Sequence, residues 1–231
     1  MGTARDVTAV AAKFYNKMNE VKNSRYRSWE YCYYSFYKAR TVKQVDEDYL
    51  DYLSLQLAFY LASWGMFRGS FLLQKDYKIH VPLIKEMLNP KYDILFGLEC
   101  KHMSDANVRN LLTELIKLVS KHYKNIREDV KRKEIKSSVS DTLVSKVLMG
   151  TMGCVPAYDT YFKAGIKNKK VAKVKFNMDS LIKLAEFYQQ NYDVLEEARS
   201  QLQLEDIYYP QMKLLDMGFW QIGADWTRNR R

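Results

Sequence analysis

Apolar residues recur every three or four positions over most of the chain, which is the spacing of one buried face on an α-helix. The first such face runs from Val7 to Val21, and a later one runs from Val108 to Val119. Further helices are predicted at 29–37, 47–64, 141–149, 177–202 and 212–220. No stretch shows sustained alternation of apolar and polar residues, so few or no strands are expected. The pattern predicts an all-α, compact multi-helix fold.

Polar side chains that can cap a helix precede several of these segments. Ser104 or Asp105 stands before a helix that we expect to reach His122, and Ser140 stands before the helix that leads into Gly150. Their side-chain oxygens can accept hydrogen bonds from the unpaired amides of a first helical turn. Asn177 or Asp179 offers the same cap to the helix predicted from 177 to about 202.

Residues 150–162 combine a helix end, a turn and a new helix start around one carboxylate. Gly150 and Gly153 supply the backbone freedom to end the preceding helix, and Pro156 suits the first position of the next one. Asp159 is then expected in the first turn of that helix. Because lysines precede and follow Asp159, we interpret this carboxylate as an acid that works on nucleic acid.

The length of 231 residues is enough for a sizeable core, and we expect a single helical domain spanning 1–231. The alternative is two lobes, at about 1–100 and 101–231, with the candidate site between them. A content of 47% hydrophobic and 28% charged residues indicates a globular chain and excludes a disordered one.

A formal net charge of +10 favours an anionic partner. The excess is concentrated in residues 101–180, which hold 17 Lys and Arg against 8 Asp and Glu. Several lysines around one site suit the backbone phosphates of a nucleic acid, whereas the alternative is an ordinary solvated helix face with a lysine-rich loop. The residues predicted to bind DNA are Lys121, Lys124, Lys136, Lys146, Lys163, Lys167, Lys169 and Lys170.

The three cysteines, Cys32, Cys100 and Cys154, are an odd number without close pairing, and no secretory leader is visible. This usage is typical of the reducing cytoplasm. The three histidines are too scattered for a zinc hydrolase, so neither a metal nor another cofactor is expected. The longest apolar run, at 53–73, is interrupted by polar residues, which favours a buried helix and turn over a membrane span.

Several catalytic classes lack their motifs here. The sequence has no phosphate-binding loop with Gly-Lys-Ser/Thr, no Gly-x-Gly-x-x-Gly after a strand, and no nucleophile elbow. Cleavage of an N-glycosidic bond, in contrast, needs only one carboxylate, which stabilises an oxocarbenium-like transition state and orients or deprotonates water. The base must first be rotated out of the duplex, which calls for lysines on the phosphates and aromatic rings at the base. The chain carries 18 Tyr, 10 Phe and 4 Trp, most of which we assign to the core.

Residues 140–162, which end in Val-Pro-Ala-Tyr-Asp-Thr-Tyr-Phe, resemble the end of the helix-hairpin-helix DNA glycosylase module. In that family a hairpin helix is followed by a short loop and a Val-Pro-x-Asp-type segment, whose aspartate is the catalytic acid. The resemblance implies that role for Asp159. Two features depart from the family. No glycine-rich hairpin turn lies at 133–140, and the lysine of bifunctional members falls at about Ser140 or Asp141. The resemblance therefore implies a monofunctional enzyme that forms no Schiff base.

The chain as a whole is also similar to bacterial anti-phage glycosylases of the Brig type. That resemblance implies a substrate of double-stranded DNA carrying glucosylated hydroxymethylcytosine, and an abasic site as the product. A base that carries a sugar needs a roomy polar pocket. The residues predicted to line it are Trp64, Arg68, Gln74, Tyr158 and Tyr161.

A rival interpretation is a helical nucleic-acid-binding protein without catalysis, such as an accessory protein of a defence locus. In that case Asp159 is a first-turn acid that complements the helix dipole. The sequence leaves open which base is excised, which residue replaces it in the duplex, and the oligomeric state.

Overall fold

The computed structural model describes residues 2–41, 45–130 and 139–230. Over these ranges the chain forms ten α-helices and one short hairpin, which confirms the all-α prediction. The first five helices are α1 (Gly2–Glu20), α2 (Ser28–Thr41), α3 (Glu47–Ser63), α4 (Val81–Met87) and α5 (Ala106–Glu128). The other five are α6 (Asp141–Thr151), α7 (Thr160–Lys169), α8 (Met178–Gln190), α9 (Tyr192–Arg199) and α10 (Gln211–Arg228). The antiparallel strands β1 (Gln203–Leu204) and β2 (Ile207–Tyr208) precede α10. Short 3₁₀-helices lie at Arg25–Arg27, Phe71–Gln74, Tyr77–His80, Pro90–Leu95 and Cys100–Ser104.

The predicted capping residues occupy three of these helix starts. Asp105, rather than Ser104, accepts a hydrogen bond from the Asn107 amide at 2.7 Å and caps α5. The Ser140 hydroxyl caps α6, and the Asn177 side chain caps α8. Each cap satisfies an amide that the first helical turn leaves without a partner.

Three helix ends differ from the prediction. Helix α5 continues past His122 to Glu128, because Tyr123 extends its buried face. The segment predicted as one helix at 177–202 is broken at Asn191, whose backbone leaves the helical region between α8 and α9. Helix α10 continues past Trp220 to Arg228, with its last two turns more exposed than its first three.

The buried side chains form one contiguous cluster that extends from Ala4 in α1 to Phe219 in α10. Helix α10 packs against both α7 and α1, while α2 and α3 pack against each other and against α6. Helices from the two halves of the chain are thus interleaved. The end of α3 meets α6, α7 and α10, and the candidate site lies there. None of the described helices has the length and apolar character that crossing a membrane would need.

Candidate functional site

The segment that links α6 to α7 is extended and is held by side chains of neighbouring helices. The Ala157 amide donates to the Asp216 carboxylate at 2.9 Å, and the Tyr158 amide donates to the Ser145 hydroxyl at 2.8 Å. The Thr142 hydroxyl donates to the carbonyl oxygen of Tyr158 at 2.9 Å. The prediction that Pro156 begins the next helix is therefore wrong, because the backbone after it is fixed in this extended path and α7 begins only at Thr160.

Asp159 is the N-cap of α7, one position before the first turn in which it was predicted. Its Oδ1 accepts from the amides of Tyr161 and Phe162 at 3.1 and 3.0 Å. Its Oδ2 accepts from Lys146 Nζ and from Trp220 Nε1, each at 3.2 Å. The Asp159 side chain is 16% exposed. The N-terminus of α7 and the ammonium group both stabilise a negative charge at this position, which solvent still reaches.

A second lysine–aspartate pair lies beside the first. Lys213 Nζ contacts Asp216 Oδ2 at 2.9 Å within one turn of α10, and these side chains are only 6% and 7% exposed. The other oxygen of Asp216 accepts the Ala157 amide described above. Both oxygens of this carboxylate are thus bound by groups of the protein itself.

The indole of Trp64 joins the two pairs. The Nζ atoms of Lys146 and Lys213 lie 4.6 and 5.7 Å from the centroid of its ring, and Lys213 Nζ also lies 4.8 Å from the Trp29 ring. These are distances at which an ammonium group is attracted to the face of an indole. The Nε1 atom of Trp64 is buried without a hydrogen-bond partner in the described part of the chain.

A group of aromatic rings, four of them half-buried and one exposed, is centred on Trp220, the indole that donates to Asp159. Trp220 makes edge contacts with the rings of four other residues, at centroid distances between 5.3 and 6.3 Å. We call this group the aromatic cluster; it consists of Phe14, Tyr26, Trp64, Tyr161 and Trp220. Its members come from α1, α7, α10, the turn before α2 and the end of α3. The fold thus brings five separate segments together around the indole that binds Asp159.

Two glycines fix the distance between Asp159 and Trp220. A Cβ atom on Gly165 of α7 would lie 1.9 Å from the Phe219 carbonyl oxygen, and one on Gly223 of α10 would lie 1.8 Å from the Tyr161 carbonyl oxygen. No other residue type fits at such distances, so α7 and α10 cross in backbone contact. This crossing places the Trp220 indole within hydrogen-bonding distance of Asp159.

Tyr60 completes the inner wall of the site. Its ring packs against Gly150, where a Cβ atom would lie 2.5 Å from the ring carbon Cε1. Gly150 was predicted to end its helix, but it lies inside α6 and makes room for Tyr60. Burial, followed by the charges of Asp216, Cys32 and Asp159, raises the pKa of the Tyr60 hydroxyl well above its usual value. Tyr60 therefore remains a neutral phenol beside two carboxylates.

The cleft between these groups is closed, because the roughly 190 Å³ of space between its atoms has no room for a water molecule. A ligand therefore enters only if a ring of the aromatic cluster moves. The cleft is lined by Tyr60, Trp64, Lys146, Ala157, Asp159, Lys213, Asp216 and Trp220.

The predicted pocket residues are only partly brought together. Trp64 lines the cleft and Tyr161 belongs to the aromatic cluster. Arg68 and Gln74 are exposed and do not line the cleft. Tyr158 is completely buried, and its hydroxyl is hydrogen-bonded to Ser180 at 2.8 Å, so it does not line the cleft either.

The predicted DNA-binding lysines also occupy different environments. Lys146 is buried against Asp159 and Trp64, so it does not lie on the outer surface with the other lysines. Lys169 is bound to Asp6 at 2.6 Å, and Lys136 lies outside the described residues. Five lysines lie at least partly exposed on α5 or α7 or at the end of α7: Lys121, Lys124, Lys163, Lys167 and Lys170.

Sequence reasoning missed Lys213, Asp216 and Trp220. One signal for the first two was present, because Lys213 and Asp216 are charged residues three positions apart within the apolar run 212–219. Charges inside such a run are expected to be paired. Trp220 carried no comparable signal, since its position depends on the crossing of α7 and α10.

The other candidate chemistries find no support in the described ranges. No three metal-binding side chains come together there. The three cysteines are buried and unpaired, and burial raises the pKa of each thiol, which disfavours a reactive thiolate. Comparisons with family models, curated proteins and solved structures find no match for this chain. Arguments about its function therefore start from the geometry around Asp159.

Proposed function

We propose that this protein is a monofunctional DNA glycosylase, in which Asp159 stabilises the transition state for cleavage of an N-glycosidic bond. The observation that carries the proposal is the position of this carboxylate. It is fixed at the N-terminus of α7, it remains partly exposed, and it accepts a hydrogen bond from the edge of Trp220, the central ring of the aromatic cluster. A fixed negative charge next to stacking surfaces suits a sugar that becomes positively charged while its base is held by aromatic rings.

The hydrogen bonds of Asp159 define its role more closely. Its two oxygens together accept four hydrogen bonds, from two backbone amides, an ammonium group and an indole. Four donors hold this carboxylate in one orientation, which suits a fixed negative charge beside the reacting sugar. In the proposed reaction the bond between C1′ and the base nitrogen breaks, the oxygen of a water molecule bonds to C1′, and a proton of that water goes to the leaving base. Asp159 stabilises the positive charge on the sugar during this exchange.

The aromatic cluster supplies the surface for the extruded base. Unpaired bases stack on aromatic side chains, and such contacts contribute about 1–3 kcal/mol per base. A glucosylated hydroxymethylcytosine is larger than the cleft, so Trp64 or Trp220 must rotate before this base approaches Asp159. We propose this base as the substrate because of the resemblance to the Brig-type enzymes, which also implies an anti-phage role in the cytoplasm.

The exposed lysines of α7 extend from the site along one helix and are proposed to bind the DNA backbone. Lys163 lies one turn after Asp159, and Lys167 and Lys170 follow. Each phosphate that a lysine neutralises releases counterions, so binding should weaken steeply as salt rises. If affinity did not change with salt, the proposal of a nucleic-acid partner would be wrong.

A second candidate is a glycosylase in which the amine of Lys146 attacks the sugar. The observation that favours it is the 3.2 Å distance between Lys146 Nζ and Asp159 Oδ2, which holds the amine beside the proposed catalytic carboxylate. The neutral amine would bond to C1′ as the bond between C1′ and the base breaks, a proton of the amine would go to the leaving base, and opening of the sugar ring would give an imine. Borohydride reduction during turnover distinguishes the two candidates, because only the second joins protein to DNA covalently.

The third possibility is a DNA-binding protein without catalysis, in which Asp159 only caps α7. The decisive experiment compares the wild type with Asp159→Asn on unmodified, uracil-containing, 8-oxoguanine-containing, alkylated and glucosyl-hydroxymethylated DNA. Abasic sites are revealed by alkaline cleavage. We expect strand breaks on one substrate with the wild type and none with Asp159→Asn, whose DNA affinity should be unchanged or higher.

Asp105→Asn is the matched control, because Asp105 caps α5 in the same way but lies in another part of the fold. The control should release base at the wild-type rate. Base release by Asp159→Asn at the wild-type rate would disprove the catalytic role of Asp159. Tight, salt-sensitive binding without base release on any substrate would support the third possibility.

A further inference from the structure

The burial of the Lys213–Asp216 ion pair is not explained by a gain in the stability of the fold. Both side chains are almost completely buried, and removing two charges from water is costly enough that a buried ion pair is often no more stabilising than apolar residues of similar volume. The groups that this pair contacts are therefore more informative than the ion pair itself.

Asp216 is linked to Asp159 through a single residue. Asp216 Oδ1 accepts the amide of Ala157 at 2.9 Å, and the carbonyl oxygen of Ala157 accepts the amide of Asp159 at 2.8 Å. The position of the Ala157 backbone therefore fixes the position of the Asp159 amide. Ser145 holds the next amide, that of Tyr158, from α6. Asp216 holds the same segment from α10.

Lys213 acts on the other side of the site. Its Nζ neutralises Asp216 and lies against the indoles of Trp29 and Trp64. Trp64 in turn lies against Lys146, the ion-pair partner of Asp159. The buried pair therefore contacts both the backbone that leads into Asp159 and the ring that covers Lys146.

We propose that Lys213 and Asp216 are positioning residues, which hold the Ala157 amide and the Trp64 indole so that the Asp159 carboxylate keeps its place beside the Trp220 indole. This inference rests on the proposed function, because it concerns the geometry that the glycosylase reaction requires. Both side chains line the inner end of the cleft, but the role proposed for them is indirect. Asp216 acts through the Ala157 amide, and Lys213 keeps Asp216 oriented.

The test compares two double variants that lack both buried charges. In Lys213→Met with Asp216→Asn, the amide oxygen of asparagine still accepts the Ala157 amide. In Lys213→Met with Asp216→Leu, a side chain of similar size offers no acceptor. We expect the single-turnover rate of base release to be at least about tenfold lower in the leucine variant, which corresponds to about 1.4 kcal/mol of transition-state stabilisation. DNA affinity should be equal in the two variants.

Equal rates of base release in the two folded double variants would overturn the proposal. Amide hydrogen exchange gives a second readout that does not depend on activity. The amides of Tyr161 and Phe162, which Asp159 caps, should exchange faster in the leucine variant than in the asparagine variant, and equal protection would also overturn the proposal. If a double variant fails to fold, the same exchange comparison between the single variants Asp216→Asn and Asp216→Leu replaces it, with faster exchange expected in Asp216→Leu.

The two proposals fail in different ways. If the wild type releases no base, or Asp159→Asn releases it normally, the proposed function is wrong, and the exchange measurement still decides whether Asp216 positions Asp159. If the wild type is active and Asp159→Asn is not, while the two double variants are alike in rate and exchange, only the positioning role is wrong.

Discussion

The site contains two lysine–aspartate pairs that contact the same indole, yet their surroundings differ. Lys146 and Asp159 are 13 residues apart and belong to α6 and to the start of α7. Lys213 and Asp216 lie within one turn of α10. The first pair therefore exists only when the chain has folded, whereas the second is already close in the helix that carries it.

The two carboxylates also differ in access. Asp159 is 16% exposed and Asp216 is 7% exposed. Asp216 is bonded on both oxygens to groups in the interior, while one donor to Asp159 is the half-buried Trp220 indole. Two lysine–aspartate pairs of the same chemical type can therefore have different roles, because the carboxylate of one is more accessible to solvent than the carboxylate of the other. Displacement of one ring would open a path to Asp159, whereas Asp216 lines the same cleft but is less exposed and has both oxygens bonded to interior groups.

The largest expected effect is a difference in activity between two substitutions. Asp159→Asn should lower base release by about 10²–10³-fold, as is typical when a group that stabilises transition-state charge is removed. It should also destabilise the fold by about 3 kcal/mol, because it leaves the buried Lys146 ammonium group without its counter-charge. Asp216→Asn should lower base release by less than about tenfold per folded molecule. It should destabilise the fold by about 3 kcal/mol, because it leaves the Lys213 ammonium group buried without a counter-charge.

Single-turnover base release and urea unfolding of the same preparations measure the two effects. Asp225→Asn is the control on α10, since Asp225 is exposed and its hydrogen bond to Gln221 stays within the helix. Should both substitutions reduce base release equally, the division of roles between the two pairs would have to be abandoned.

The next effect concerns the helix crossing that holds the two pairs together. Gly223→Ala should destabilise the protein by about 3 kcal/mol, the upper end of the usual range for overpacking, because its Cβ atom would overlap the Tyr161 carbonyl oxygen. Gly2→Ala is the control, since a Cβ atom there meets nothing within 4 Å. The urea midpoint of each variant measures the effect. A Gly223→Ala variant as stable as the control would show that α7 and α10 do not cross in backbone contact.

The helices of this fold were largely predictable from the sequence, but the site was predictable only in part. Apolar spacing and capping residues such as Asp105 and Ser140 identify helices because the information is local. Asp159 was identified for the same reason, since its neighbourhood along the chain contains the turn and the lysines. The side chains that contact Asp159 come from segments distant along the chain. The spacing of apolar residues within one helix does not reveal which segments will meet.

Two wrong predictions show this limit. Pro156 suits a helix start by its own geometry, yet side chains of α6 and α10 hold the segment after it in an extended path. Gly150 was interpreted as a helix end, yet it is a position where Tyr60 leaves no space for a Cβ atom. In both cases a tertiary contact overrides a local preference, and no pattern within one helix could reveal it.

The stability of the folded protein should depend on pH through His80, a buried histidine that does not line the cleft. Burial, with a smaller effect of His122, lowers the pKa of His80 to about 3, and its Nδ1 is hydrogen-bonded to Tyr123. The unfolded chain, with a histidine pKa near 6.5, therefore binds a proton that the folded protein excludes. Stability is at its full value above pH 6.5 and decreases as the pH falls towards 3, by about 1 kcal/mol between pH 7 and pH 5.5.

Urea unfolding at these two pH values tests the expectation. His80→Gln should lose this part of the pH dependence, whereas substitution of the exposed His102 by Gln should not. Base release measured above pH 6.5 then reports on the two lysine–aspartate pairs without interference from His80. An unchanged pH dependence in His80→Gln would show that His80 is not the group responsible.

The smallest effect extends the comparison from the carboxylates to the lysines of α7. Lys167 is exposed and makes no ion pair with any described residue, whereas Lys169, two positions along the same helix, is bound to Asp6. If Lys167 contacts a phosphate, Lys167→Gln should reduce the slope of log affinity against log salt by about one and weaken DNA binding a few-fold. Lys169→Gln should change the slope less, because its charge is already neutralised within the protein. Fluorescence titration of labelled DNA at several salt concentrations measures both slopes. Equal slopes for the two variants would show that an ion pair within the protein does not determine which lysine binds the DNA.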